Sequence, residues 1–493
     1  MKIMLISSIV THAAQSNPEW TAENDVGDFP PIGLMYIAGY LRKHTPVHNV
    51  KILDANLLRY TQEEIKREII DFEPEIVGMT LYTDILYDSL ETLRMVKTIS
   101  PKIRIAVGGA HAINHPEETM AVPVIDYLCI GEGEVVFARL IDALEGKDDF
   151  NRIEGLVYRD SSGKVIRNSG AGYNPDLDAL PHPAFELLPF KKYYSMVGTG
   201  KTTGVICSSR GCPYHCTYCS KLYNNYRKRS VKSIIEEMSL YYKQGVREFM
   251  FFDDMFNLPD RRAVDIAKEI EKSFPDIEWS FRGRADQITE ELGIALQRSN
   301  CKMVTLGAEA HRNDIQKELR TGKTIEAISK AVTILRRHRI RVNTNWIIGL
   351  PQHHSAKDID DLMKVIFQID PDYVQFSILM LWDDTELYRQ AVSKGIVDPE
   401  LWAAFIREPK PDFIIPCWEE HLPLHEQSRL LRECYRRFYI RPKIVLRQIA
   451  DIRTKEMLFI KIKGFMLMII PLLYPLLSLF RLNLSRRKSF NLR

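Results

Sequence analysis

Twice along this chain, short β-branched runs alternate with amphipathic helical stretches, and no other feature restricts its folding as much. In the first series Lys2–Ser7 is a continuous apolar run, and residues 31–44 carry helical spacing through Leu34, Ile37, Ala38 and Leu41. Strands are predicted at 50–54, 76–81, 103–107 and 125–130, with helices at Gln62–Phe72, Leu86–Ile99 and 134–144. This pattern predicts a doubly wound parallel sheet, whose ligands sit at the carboxyl ends of the strands. Those ends carry Ser7-Ser8, Asp54, Thr80, Gly108-Gly109-Ala110-His111 and Gly131-Glu132-Gly133-Glu134.

Residues 146–200 read as a connector, with a hairpin over 153–168 and a proline-rich stretch over 175–189. The second series has longer units. Strands are predicted at 204–207, 248–252, 278–281, 303–306, Arg341–Ile348 and 373–379, with helical patterns between them such as 231–244 and 263–273. Six βα units suit a partial TIM-type barrel, whose chemistry lies at the strand C-termini. The expected domains are therefore 1–145, the connector 146–200, the partial barrel 201–385, a helical region 386–455 and a tail 456–493.

Composition narrows the class. The 493 residues are 45% hydrophobic and 27% charged with a net charge of +3, values of a folded protein with no general attraction for nucleic acid. Eight cysteines are present, three of them within eight residues, which is not the spacing of a disulfide framework. The N-terminal apolar run lacks a small-residue cleavage site and reads as a buried strand, which places the chain in a reducing cytoplasm.

The segment Cys212-Pro213-Tyr214-His215-Cys216-Thr217-Tyr218-Cys219 follows the first strand of the second series. Three thiolates at these gaps can grip three corners of a [4Fe–4S] cubane and leave one iron open to the amino and carboxylate groups of S-adenosylmethionine (SAM). A zinc site would want a fourth ligand close by. His215 lies inside the spacing, but no second Cys-x-x-Cys follows.

With Arg210-Gly211 in front, this segment resembles the signature of the radical SAM superfamily. More narrowly, the chain is similar to the enzymes with an N-terminal cobalamin-binding domain, among them methylases and the anaerobic cyclase of chlorophyll synthesis. The likeness runs to about residue 450. It rests also on Pro30-Pro31-Ile32-Gly33-Leu34, Val107-Gly108-Gly109-Ala110-His111, Gly131-Glu132-Gly133-Glu134, Phe252-Asp253-Asp254, Gly307-Ala308-Glu309 and Ile348-Gly349-Leu350-Pro351. The resemblance implies Cys212, Cys216 and Cys219 as cluster ligands. It implies SAM contacts from Tyr218, Asp253 or Asp254, Arg282 or Arg284, Glu309 and Gly349. Competing roles stay open: acids at strand ends often cap helices, and Arg284 has Asp286 as a neighbour to pair with. Cobalamin contacts are expected from Thr80, Gly108, Gly109, His111, Gly131, Glu132 and Gly133. The Asp-x-His-x-x-Gly motif that supplies a cobalt ligand elsewhere is missing, so a domain that has lost cobalamin is the competing reading. The chain also departs from the family's usual turns at Leu381-Trp382-Asp383-Asp384-Thr385 and Ala310-His311-Arg312, and no substrate identity is transferred.

The resemblance implies methylation of an unactivated carbon by way of a 5′-deoxyadenosyl radical and methylcobalamin, with an external electron donor such as flavodoxin or ferredoxin. Radical cyclisation, C–C coupling or oxidation is the alternative, and a non-catalytic cofactor sensor is the reading from another class. Residues 424–448 form a basic helical stretch, and 464–480 hold no charged residue, about 25 Å as a helix. Pro471 and Pro475 interrupt it and basic residues flank both sides, a pattern of an in-plane anchor at the inner face of the membrane rather than a span. A hydrophobic or lipid-like substrate would fit such a tail. A greasy C-terminal helix closing the barrel, or a dimer contact, is the alternative.

Overall fold

In the computed structural model, residues 1–15, 27–45, 48–195, 201–223, 225–258, 261–452, 454–455, 457–459 and 461–462 are described. The first series builds a seven-stranded sheet. Its strands are β1 (Lys2–Ser7), β2 (Asn49–Asp54), β3 (Ile76–Thr80), β4 (Arg104–Gly108), β5 (Tyr127–Cys129), β6 (Leu156–Arg159) and β7 (Val165–Arg167), in the order β2-β1-β3-β4-β5-β6-β7. The first five pair in parallel, as the alternation requires, because each crossover helix must return the chain to the same end of the sheet. The hairpin expected in the connector does not stand apart. Its strands β6 and β7 add antiparallel to β5 and cover what would otherwise be an open edge.

The second series gives a six-stranded sheet in sequential order: β8 (Thr203–Ile206), β9 (Glu248–Phe251), β10 (Glu278–Gly283), β11 (Cys301–Glu309), β12 (Arg341–Ile348) and β13 (Tyr373–Ile378). All its pairings are parallel. One face of each strand feeds an apolar layer under the helices, with Phe249, Phe281, Val304, Val342, Trp346 and Phe376 buried there. The alternate positions therefore face the lumen of the partial barrel: Ser280, Arg282, Thr305, Asn343, Asn345, Gln375 and Ser377.

The same apolar cluster continues from the barrel helices into the first sheet, through Phe185 stacked on Tyr241 at 4.0 Å and on to Ile3 and Leu5. The basic stretch near the end is two helices rather than one, Leu424–Tyr439 and Pro442–Ala450. Pro442 has no N–H to continue the first helix but fits the first turn of the second. Among the described residues no helix is long and apolar enough to cross a membrane. Residues 464–480 lie outside the described residues.

Candidate functional site

Between β8 and β9 the chain forms a short antiparallel ribbon, Ser209–Arg210 against Arg227–Lys228, and the three spaced cysteines lie in the loop it closes. Gly211 opens that loop at φ +85°, and a Cβ there would overlap the Asn225 carbonyl. Only glycine fits such a position without strain. The Cys212 N–H donates to the Tyr223 carbonyl at 3.3 Å, and Cys219 N–H to the Cys216 carbonyl at 3.2 Å. The loop is tied to the barrel where Thr217 N–H reaches the Leu319 carbonyl and Leu387 N–H reaches that of Thr217. Lys221 donates its ammonium to the Cys212 and Tyr214 carbonyls and to His215 Nδ1, so the candidate fourth ligand of a zinc site has a ring nitrogen already engaged. Among the described residues, no three His, Cys, Asp or Glu side chains converge on the volume of one ion. Three thiols at this spacing in one loop suit three corners of a cubane.

The SAM-facing candidates divide. Asp253 is buried and accepts from Ser208 N–H at 2.6 Å, from Ser209 N–H at 3.1 Å and from the Ser208 hydroxyl. It braces the exit of β8, and burial pushes its pKa up to about 6. Its neighbour Asp254 is exposed at the foot of the cysteine loop and accepts from Gly211 N–H. Arg284 is likewise engaged, with Asp286 at 2.8 Å, the Thr321 carbonyl at 2.8 Å and its guanidinium 3.7 Å from the Tyr214 ring centre. It supports the cysteine loop from below. Arg282 instead points into the lumen, 4.9 Å from the Phe252 ring centre, with no carboxylate beside it among the described residues, and burial lowers its pKa.

Glu309 sits at a bulge in β11 with φ +61°. Its carboxylate meets Lys323 Nζ at 3.1 Å and the Tyr218 hydroxyl, and Lys323 also donates to the Gly307 carbonyl at 2.8 Å. Gly349, the remaining SAM candidate, stands at φ +76°, where the bare backbone would let the adenine approach. The space its Cβ would take is filled by the buried amide of Gln427, which donates to the Trp418 and Leu422 carbonyls at 2.7 Å each.

At the carboxyl ends of β3, β4 and β5 lies a cavity of about 260 Å³. Thr80, Gly108, Gly109, Gly131, Glu132 and Gly133, all candidate cobalamin contacts, line it. So do Tyr36, Cys129 and Cys207, and from the cysteine loop and its ribbon Arg210, Leu222 and Tyr223. Gly109 and Gly131 both stand at φ +94°, where a Cβ would strike neighbouring backbone. The glycine-rich lining leaves bare backbone that a broad planar ligand can approach, and no histidine lines it among the described residues.

His111 does not line this cavity. Its buried ring bonds the Thr83 hydroxyl at 3.0 Å and lies 5.1 Å from His115, which pairs with Asp383 at 3.1 Å. Burial drives His111 down to about 3, so it is neutral and helps join the first sheet to the loop after β13. Glu132 faces the cavity, but both its oxygens are held by arginines: Arg227 at 2.5 and 3.0 Å and Arg210 at 3.2 Å. Sequence reasoning gave no role to Arg210, Arg227 or Lys323. Arg210 stood next to the cysteine signature, whereas the other two carried no local signal.

The B12-binding domain model matches residues 21–141, and the radical SAM superfamily model matches residues 206–366. An uncharacterized methyltransferase of Pyrococcus horikoshii is 32% identical over 428 residues, covering 86% of this chain and 90% of that protein. The anaerobic magnesium-protoporphyrin IX monomethyl ester cyclase of Rubrivivax gelatinosus is 27% identical, over 75% of this chain and 67% of its own length. Among solved structures, the cobalamin-dependent SAM radical enzyme OxsB with aqua-cobalamin bound superposes with a TM-score of 0.68 at 16% identity, over 95% of this chain and 72% of that one. The radical SAM methyltransferase TsrM of Kitasatospora setae, with cobalamin and a [4Fe-4S] cluster, gives 0.62 at 17% identity, over 80% and 75%. At these identities the structural likeness establishes the fold.

Proposed function

This chain belongs to the radical SAM enzymes that carry an N-terminal B12-binding domain, and we propose that within them it transfers a methyl group to carbon. It is an enzyme whose cofactors are a [4Fe–4S] cluster, SAM and cobalamin. When bound, these supply one-electron cleavage of SAM and a transferable methyl group, with the electron drawn from an external donor. One observation carries the methyl-transfer reading. The cavity at the ends of β3, β4 and β5 shares a wall with the cysteine loop, through Arg210, Leu222 and Tyr223.

In this reading Cys212, Cys216 and Cys219 hold the cluster. Arg282, with no carboxylate beside it among the described residues, would receive the SAM carboxylate, and Asp254 its amino group. Glu309, fixed by Lys323 and Tyr218, orients hydroxyls of the ribose. Thr80 with Gly108, Gly109, Gly131 and Gly133 would hold the cobalamin. Water is excluded by the apolar cluster that joins Leu81, Ala310, Ile347, Leu350, Leu379 and Leu381 across the two halves, with Tyr218 and Trp382 packed on it.

The expectation of a hydrophobic or lipid-like substrate rests on residues 464–480, which lie outside the described residues. The lumen presents Ser280, Arg282, Thr305, Asn343, Asn345, Gln375 and Ser377; Asn343 donates to Thr305 and Asn345, while the side chains of Ser280, Gln375 and Ser377 have no hydrogen-bond partner among the described residues. Polar groups left without partners favour a reacting portion that itself hydrogen-bonds. The test is anaerobic turnover with SAM carrying a deuterated methyl group, offered the small-molecule pool of the source cell. A product that gains the labelled methyl supports the reading. A product that has only lost hydrogens places the chain with the cyclases, and SAM that is never cleaved removes the enzyme class.

A further inference from the structure

The neck of the cysteine loop carries a conflict of charge. In the ribbon Ser209–Arg210 against Arg227–Lys228, the register sets Arg210 opposite Arg227. Like charges facing across a strand pair repel, so this two-residue neck favours opening when left alone. Its closure depends on two acids at the start of the helix Gly133–Leu144, which follows β5 of the first sheet. Glu132 takes both Arg227 nitrogens and Arg210, and Glu134 takes Arg210 at 2.6 Å. The carboxylates are 5% exposed and the guanidiniums about 15%, so solvent screens these pairs little. Aromatic rings hold the arginines in place: Tyr36 lies 4.9 Å from Arg210, with Tyr173 and Tyr223 at 5.7 and 5.8 Å from Arg227.

The two acids that close the neck also form one side of the glycine-lined cavity, together with Tyr36, Arg210 and Tyr223. Anything that seats on that wall favours the closed neck. Anything that orders the loop completes the wall.

We propose that this buried quartet, Arg210, Arg227, Glu132 and Glu134, couples the two cofactor sites, so that a cluster in the loop tightens cobalamin in the cavity and cobalamin in turn tightens the cluster. The coupling rests on the cofactor reading given above. It is reciprocal by thermodynamic necessity, because both ligands favour the same closed arrangement. Arg227 does not line the cavity and serves as a positioning residue. Substituting it leaves Glu132 paired with Arg210, so no buried carboxylate is stranded.

The experiment measures hydroxocobalamin affinity anaerobically by equilibrium dialysis, on the full chain. Reconstituted wild type is compared with a cluster-free Cys212→Ser/Cys216→Ser/Cys219→Ser form, each with and without Arg227→Gln. In the reciprocal arm, loss of iron to a chelator is timed with and without hydroxocobalamin. The expected result is about tenfold tighter cobalamin with the cluster present, a matching slowing of iron loss, and a gain that shrinks to near unity in Arg227→Gln. Equal affinities with and without the cluster, in protein that binds both, would overturn the coupling and leave the assignment of cofactors standing. Wild-type protein that binds neither would overturn that assignment, and the coupling with it. The wild-type comparison stands even if the arginine variant folds poorly.

Discussion

Replacing Gly349 by alanine tests how the barrel is joined to its C-terminal helix. Two costs follow from the structure. At φ +76° an alanine is held in the left-handed region, which costs about 1–2 kcal/mol. Its Cβ would also displace the Gln427 amide, which makes two buried hydrogen bonds to the Trp418 and Leu422 carbonyls. At about 1 kcal/mol each these add roughly 2 kcal/mol, for a total near 3–4 kcal/mol. In a Gln427→Ala background the atoms the Cβ would strike are gone, and the backbone cost of about 1–2 kcal/mol is what remains. The double-mutant cycle should therefore show a coupling of about 2 kcal/mol, read from urea midpoints of the four proteins. SAM affinity measured on the same proteins should fall with Gly349→Ala and recover in the double variant. Strict additivity in stability, or SAM binding lost equally in both backgrounds, would refute the argument and return Gly349 to a direct role against the adenine.

Three further outcomes are expected. Burial favours the neutral form of Asp370, but hydrogen bonds from Arg447, Lys443 and Arg336 hold its pKa at about 2, so its contribution is present above pH 4 and lost as pH falls toward 2; Asp370→Asn should flatten the acid limb of the melting temperature over that window. Arg284→Lys should lower iron retained per chain, because an ammonium cannot reproduce the planar stack on Tyr214 together with the bond to Thr321; wild-type iron content in this variant would sink the buttress role. Gly211→Ala should abolish cluster loading while helical circular dichroism persists, since its Cβ collides with the backbone of the loop itself; full loading would show that the loop relaxes freely.

How much was legible beforehand follows from how local each signal is. Helices such as Gln62–Phe72 and Leu86–Ile99 appear where periodicity placed them, because an amphipathic stripe is written in adjacent turns. Strand β11 runs from Cys301 to Glu309, well past the predicted 303–306, because the glycine and bulge at its end lie beyond the β-branched run. The hairpin of β6 and β7 was readable as a hairpin, but its attachment to β5 is a long-range pairing that no local pattern records.

The site divides in the same way. The cysteine spacing is local and plain. Asp253 and Asp254, like Arg282 and Arg284, are chemically identical candidates a residue or two apart, and only packing decides which is held by Ser208 or Tyr214. Arg227 meets Glu132 across 95 residues of sequence, where a single sequence carries no cue. His111, a candidate contact because it follows two glycines, has its ring bonded to Thr83 and tilted against His115, contacts that sequence order does not record.

The central claim is that one chain holds a cluster and cobalamin side by side and uses them on SAM. The most direct measurement is 5′-deoxyadenosine formed by anaerobically reconstituted, desalted protein given dithionite and SAM, with iron and cobalamin quantified in the same sample and Cys216→Ala as control. The account predicts four irons and one cobalamin per wild-type chain, and product that disappears with Cys216. Wild-type protein that cannot retain four irons, or that forms the product equally well without Cys216, would contradict it.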